Sequence, residues 1–252
     1  MFGRLVDELA KAHIPGYYRK NGVYVRPHER GRQKNAGIVH PRLGENGKAV
    51  QIKEPSVATK PSTWHNPETT ATFLPDGDVP SSLNGVALTV WRDHPTTLDG
   101  WEYVDGINED LQEPDFHAHP AKHAASGVVI EEPDGRVWLV SPTNKFGGYE
   151  ATFPKGTEEK GLSFQANAIK EAFEETGLKV EITGFIGDFD RTTSVARMYR
   201  ARRVGGTPTA MGWESQAVHL VPKKRLYDHL NMHPDHAIAE IVGAGKKPFG
   251  QS

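Results

Sequence analysis

The chain has 252 residues, 30 Lys/Arg against 32 Asp/Glu, and no cysteine. This length allows one large domain or a domain with an extension, and the lack of cysteine excludes disulfides and thiolate metal sites. No apolar run reaches the roughly 18 residues of a membrane-spanning helix, and Asp7 and Glu8 interrupt the stretch a signal peptide would need, so the expected location is cytoplasmic.

The first 60 residues hold 12 Lys/Arg and 5 Asp/Glu, so the remainder of the chain is net acidic. Apolar residues at Phe2, Leu5, Val6, Leu9 and Ala10 have helix spacing over 2–13, and Pro15-Gly16 ends the pattern. Asn21-Gly22 between two Tyr-rich runs predicts a hairpin. Residues 31–80 are rich in Pro, Gly, Thr and Asn and predict long irregular segments, lying across a neighbouring domain or loosely ordered. A strand is expected over 83–91, then a turn and short helix over 101–111. Pro114 and Pro120 bracket a connector with His117 and His119; together with His123 these offer metal ligands, but the stretch reads as a solvated linker. Composition thus divides the chain into a basic extension or accessory region, 1–118, a regular domain, 119–245, and a tail, 246–252. The first 60 residues differ in composition and hold no metal-ligand pattern, so they are expected to be dispensable for catalysis, and a chain beginning near Ser81 to stay soluble and keep its turnover.

From Ala124 the pattern is regular. Strands are expected over 124–132 and 136–142, joined at Pro133-Asp134-Gly135, and again over 179–189 and 196–204 with a hairpin tip between them. A further strand leads into a helix near Pro222, and a last helix spans about 235–242.

Between these strands lies GTEEKGLSFQANAIKEAFEETGL, residues 156–178. On a helix from Ala166 to Thr176, Glu171, Glu174 and Glu175 fall on one side, and Ala166, Ile169 and Phe173 on the other. Ser163 is placed to cap its start and Gly177 to close it. Three carboxylates at i, i+3 and i+4 repel one another on a bare helix, a cost that a hard divalent cation with oxygen ligands would reverse.

The stretch resembles the Nudix box, G-x5-E-x7-R-E-U-x-E-E-x-G-U, where U is aliphatic. Gly156, Glu171, Glu174, Glu175 and Gly177 match, with Ala172 and Leu178 at the aliphatic positions. Leu162 stands where the family has its first Glu, and Lys170 where it has Arg. The resemblance implies an α+β fold, the α/β/α sandwich of the Nudix family with a mixed sheet between helices, here with an irregular N-terminal extension. It also implies Mg²⁺ as cofactor, with Mn²⁺ as a substitute, held by Glu171, Glu174, Glu175 and the Gly156 carbonyl. Lys170 would stand in for the family's Arg, which helps hold the following Glu, here Glu171, keeping the charge but losing the planar fork. Glu214, shortly before the last strand, is the candidate to complete the metal site.

Lys155, Arg191 and Tyr149 are the candidate substrate contacts, two cations for phosphate and an aromatic face for a base. The expected activity is hydrolysis of a diphosphate bond in a nucleoside diphosphate linked to another moiety: a sugar nucleotide, dinucleotide or dinucleoside polyphosphate. Two alternatives stand beside it, a nucleotide-binding module that has lost turnover through Leu162 and Lys170, and a nucleic-acid-associated protein using its basic N-terminal region. The expected partner is a small nucleotide, with no membrane, and a homodimer is one expected assembly. Leu162→Glu, restoring the family's residue, is expected to leave turnover equal or higher.

Overall fold

The computed structural model describes residues 12–14, 16–18, 24–25, 28–30, 38–117 and 120–245. Short antiparallel ladders come first: β1 (Ala12–Ile14) and β4 (His28–Arg30) enclose β2 (Tyr17–Tyr18) and β3 (Tyr24–Val25), and β5 (Ile38–Val39) pairs with β6 (Gln51–Ile52). The hairpin expected around Asn21-Gly22 is the β2–β3 pair. Most of the helix expected over 2–13 lies outside the described residues, but Ala12 and His13 are in a strand.

Next come α1 (Pro61–Trp64), β7 (Ala71–Phe73), the hairpin of β8 (Ser82–Leu83) and β9 (Val86–Ala87), and α2 (Leu98–Glu102). The strand expected over 83–91 is therefore broken. Asn84 and Gly85 both have positive φ, at 50° and 80°, as the type I′ turn of a two-residue hairpin requires. The short helix lies ahead of its expected place, because Thr97 Oγ1 accepts the Gly100 amide and caps it there.

The regular part comprises β10 (His123–Glu131), β11 (Arg136–Pro142), β12 (Lys155–Thr157), α3 (Phe164–Thr176), β13 (Leu178–Asp190), β14 (Ser194–Gly206), β15 (Ser215–Pro222) and α4 (His233–Ile241). A 3-10 turn over Lys223–Asp228 replaces the helix expected after Pro222. One seven-stranded sheet runs β13-β14-β10-β11-β15-β7, with β12 also paired to β10. Only β10–β14 is a parallel pair, so the sheet is mixed.

Both faces of this sheet are covered, which explains the nearly unbroken apolar runs in β10 and β11. Val128, Ile130, Trp138 and Val140 point to the α3 side with Ile169 and Tyr199. Val129, Val137 and Leu139 point to the α4 side with Phe153, Met198 and Ile238. The alternation is the period of two that a strand imposes, and the result is an α/β/α sandwich.

The segment before residue 118 contributes to the same interior. Trp64, Phe73, Leu83, Trp91 and Trp101 are buried in the α3-side core, with Phe73 stacked between Trp64 and Trp138 at 5.5 Å from each. Buried cations from the sheet reach into its backbone. Arg136 donates to the carbonyls of Thr63, Trp64 and Asn66, and Arg203 pairs with Glu132 at 2.6 Å while donating to the Leu83 carbonyl. Residues 64–104 therefore complete the α3-side core, and β7 completes the sheet itself. No helix among the described residues is long and apolar enough to cross a membrane.

Candidate active site

Helix α3 forms where its sequence directs. Ser163 Oγ accepts the Ala166 amide, and Gly177, at φ 72°, closes the helix with its amide on the Phe173 carbonyl. Ala166, Ile169 and Ala172 are fully buried in the core.

The opposite face is less open than the helical wheel implies. β12 and the loop after it run back along α3, covering Glu171 and half-covering Glu175, while Glu174 remains exposed. The Lys155 amide donates to Glu175 Oε2 at 2.9 Å. Gly156 lies against Glu171 so closely that any Cβ there would collide with the carboxylate. This is a physical reason for glycine at the first position of the motif.

Among the described residues, Glu171 receives no hydrogen bond or ion pair. Burial, then repulsion from Glu175 and Glu174, push its carboxyl up to about 9. Burial also raises Glu175, opposed by Lys155. Glu214 is exposed at its surface, and partial desolvation, then Glu174 and Glu45, raise it. Glu214 in turn repels both Glu171 and Glu175, and its loop is tied to α3 by the Gly212 amide on the Glu174 carbonyl at 2.7 Å.

The two departures from the motif have a common structural account. Leu162 is buried in the core, so it occupies an apolar position rather than a vacated ligand position. The salt bridge is made elsewhere: Lys170 Nζ reaches Glu159 Oε1 at 2.8 Å and Glu174 Oε2 at 2.7 Å. Lys170 thus ties the loop to the helix and holds Glu174, without reaching Glu171.

No three His, Asp or Glu side chains among the described residues converge as a ready-made metal cage. Mg²⁺ does not need one, since it commonly takes one or two carboxylates and fills its remaining positions with water and substrate phosphate. The donors fit such a cation: a buried carboxylate without a donor, seated on a glycine backbone, with other carboxylates repelling it. Cysteine and histidine, which would favour softer metals, are absent from the set.

Lys155, Tyr149 and Arg191 come together on the α4 side. Lys155 Nζ sits over the Tyr149 ring, 4.6 Å from its centroid, and donates to Thr152 Oγ1 at 3.0 Å. Burial, then repulsion by Arg191, hold the Lys155 ammonium below its ordinary value. Arg191 is itself buried, donating to Tyr149 Oη at 3.1 Å and pairing with Asp235 at 2.7 Å. Its Nε is buried without a partner among the described residues.

Asp235, which the sequence reading passed over, is fully buried and also accepts from Thr152 Oγ1 at 2.8 Å. Its only local signal is an acidic residue in the first turn of α4. Of the other aromatics near these loops, Trp213 lies beside Gly44 and Phe189 packs at the rim of the α4-side core. His117 and His123 are exposed, and His119 lies outside the described residues.

A family model described as the NUDIX domain matches residues 121–239. A MutT-like protein of Streptomyces ambofaciens is 30% identical over 113 residues, covering 41% of this chain and 71% of that protein. The chain belongs to the Nudix family. An RNA pyrophosphohydrolase of Caulobacter vibrioides is 39% identical over 67 residues, 26% of this chain, and the match spans only 39% of that relative's length. A NUDIX hydrolase from Nitrosomonas europaea aligns in structure with a TM-score of 0.43 and 19% identity, over 57% of this chain and 82% of that one. An ADP-ribose pyrophosphatase from Streptococcus suis aligns at 0.40 and 19%, over 48% and 87%. The expected Nudix fold is the sandwich described above, and the Nudix box is the loop-and-helix unit from Gly156 to Leu178.

Proposed function

We propose that this Nudix protein hydrolyses a diphosphate bond in a nucleoside diphosphate linked to another moiety, with Mg²⁺ as its cofactor. The observation that carries this reading is Glu171, a largely buried side chain packed on Gly156 that receives no hydrogen bond among the described residues and is repelled by Glu175, Glu174 and Glu214. A protein that left this group unpartnered would bear the cost of burying a charge or a proton-holding carboxyl for no gain.

Glu171, Glu174, Glu175, Glu214 and the Gly156 carbonyl would hold the cation. When bound, it would neutralise phosphate charge and acidify water. Lys170 keeps Glu174 in place and ties the loop of Glu159 to the helix. Lys155 supplies a point charge for a phosphate oxygen, and its backbone amide fixes Glu175, so one residue serves both sides of the site. Arg191 orients Tyr149 through its hydroxyl, and Asp235 holds Arg191 and Thr152, which in turn accepts from Lys155. The acceptor of the water's proton is one of the four carboxylates.

The test is Mg²⁺-dependent phosphate release over sugar nucleotides, dinucleotides, dinucleoside polyphosphates and RNA, the last suggested by the name of the Caulobacter relative. Turnover of at least one small nucleotide, lost in Glu174→Gln and Glu175→Gln, is expected. Mg²⁺-dependent binding with no turnover of any substrate would instead support the binding-module alternative.

A further inference from the structure

The loop that carries Glu214 is gripped from two directions. From the loop after β11, the Thr143 amide donates to the Glu214 carbonyl at 2.7 Å and Thr143 Oγ1 to the Trp213 carbonyl at 2.8 Å. From the N-terminal segment comes His40, 2% exposed, with Nε2 3.0 Å from the Ser215 carbonyl. The tautomer follows from its other nitrogen. Nδ1 accepts the Arg42 amide at 3.0 Å, so Nε2 carries the hydrogen and donates it to Ser215.

This histidine is itself anchored. Arg42 forms a bidentate pair with Asp76 at 2.8 and 2.9 Å, and the Asp76 amide donates to the Thr209 carbonyl at 3.0 Å. Gly44 packs against the Trp213 ring. His40, Arg42, Gly44 and Asp76 all lie outside residues 121–239, the part matched by the family model.

We infer that residues 40–44 clamp the Glu214 loop and that His40 is a positioning residue, fixing the Glu214 carboxylate beside the α3 carboxylates through the Ser215 carbonyl. A buried carbonyl that loses its donor pulls its peptide toward another partner, and this peptide, Ser215–Gln216, begins one residue beyond Glu214, whose own carbonyl is held by the Thr143 amide. The inference rests on the proposed role of Glu214 in completing the cation site. It makes the N-terminal segment part of that site.

Two variants of His40 separate its bond to Ser215 from its bond to Arg42. In His40→Asn, Oδ1 stands where Nδ1 stood and can accept from Arg42, but nothing reaches Ser215. In His40→Gln, the side-chain amide stands near Nε2 and can donate to Ser215. With Mg²⁺ alone as the probe, the midpoint of the Mg²⁺-dependent rise in melting temperature is measured in the full chain. Loss of a partner to a metal-ligating group commonly weakens metal binding by about 10–100-fold. His40→Asn is expected to raise the midpoint by about tenfold, with His40→Gln retaining it within about twofold, and Glu214→Gln to raise it at least as far as His40→Asn.

A merely structural histidine would lower the melting temperature of both variants while leaving both midpoints in place, which would overturn the inference. Equal weakening in both variants would overturn it too, since the donor to Ser215 would not be what matters. A raised midpoint in Glu214→Gln beside an unchanged one in His40→Asn would remove the role of His40 and leave that of Glu214. An unchanged Glu214→Gln would remove the metal-site reading of Glu214 and the inference with it. If His40→Asn does not fold, Arg42→Gln, which breaks the exposed bidentate pair with Asp76 that anchors the segment, takes its place: a folded variant with an unchanged midpoint overturns the clamp.

Discussion

Deleting residues 1–80, so that the chain begins at Ser81, is expected to unfold the domain rather than free it from an appendage. The deletion removes Trp64 and Phe73, both almost wholly buried against Trp138. Truncating a buried Phe or Trp side chain costs about 3–5 kcal/mol, so the two together cost about 6–10 kcal/mol. Arg136 adds to this. Its guanidinium is fully buried and loses the carbonyls of Thr63, Trp64 and Asn66, keeping only Asp134. Groups left unsatisfied in this way cost about 1–3 kcal/mol. Against a typical stability of about 5–15 kcal/mol, little would remain. Urea unfolding followed by circular dichroism measures this. A soluble truncated chain that unfolds cooperatively within about 2 kcal/mol of the parent would refute the reasoning.

Leu162→Glu is expected to lower stability by several kcal/mol, since it places a carboxylate in the α3-side core, and not to raise turnover; a thermal melt with the release assay checks both. Glu171→Gln is expected to raise the melting temperature in EDTA at pH 8, by the equivalent of about 1–3 kcal/mol, while abolishing the response to Mg²⁺. The sign follows from a folded carboxyl held up to about 9, which penalises the fold increasingly as pH rises above the unfolded value near 4.5. His219 is half-buried between Thr72 Oγ1 at 2.9 Å and Ser141 Oγ at 2.8 Å, and desolvation, then His229, lower it to about 3. The unfolded chain therefore takes up a proton below about pH 6.5 that the folded chain refuses, and stability falls as pH drops from there toward 3. Between pH 7.5 and 5 this amounts to about 2 kcal/mol, to be read as the difference between wild type and His219→Gln in urea midpoints at the two pH values.

What was legible in the sequence was what is encoded locally. Ser163, Gly177 and the apolar stripe of α3 lie within one helix, so the carboxylate arrangement could be read from spacing alone. The runs in β10 and β11 could be read because both faces of the sheet are covered. The turn at Asn84-Gly85 was equally local and was missed, because the flanking Leu83 and Val86 made the stretch resemble one continuous strand.

The other features depend on distant partners. Ala71-Thr72-Phe73 is too short to announce a strand, and it pairs with residues 218–220. Lys170 finds Glu159 eleven positions earlier, not the next helical turn alone. The burial of Glu171 depends on how the loop folds back over α3, which no helical wheel contains. Asp235 gains its role only when α4 lands against Thr152 and Arg191.

The pairing of β7 with β15 also bears on solubility. Val218, His219 and Leu220 belong to a strand that is buried along most of its length, and without β7 their backbone groups would form an open edge. Such an edge, flat and apolar, invites strand addition from another chain. The three residues of β7 cover it, and Leu74-Pro75 then ends the pairing, because proline supplies no amide to extend a ladder. A chain caught with β7 detached, during synthesis or after proteolysis of the preceding segment, would therefore be prone to edge-to-edge aggregation before the rest of the domain had lost its structure.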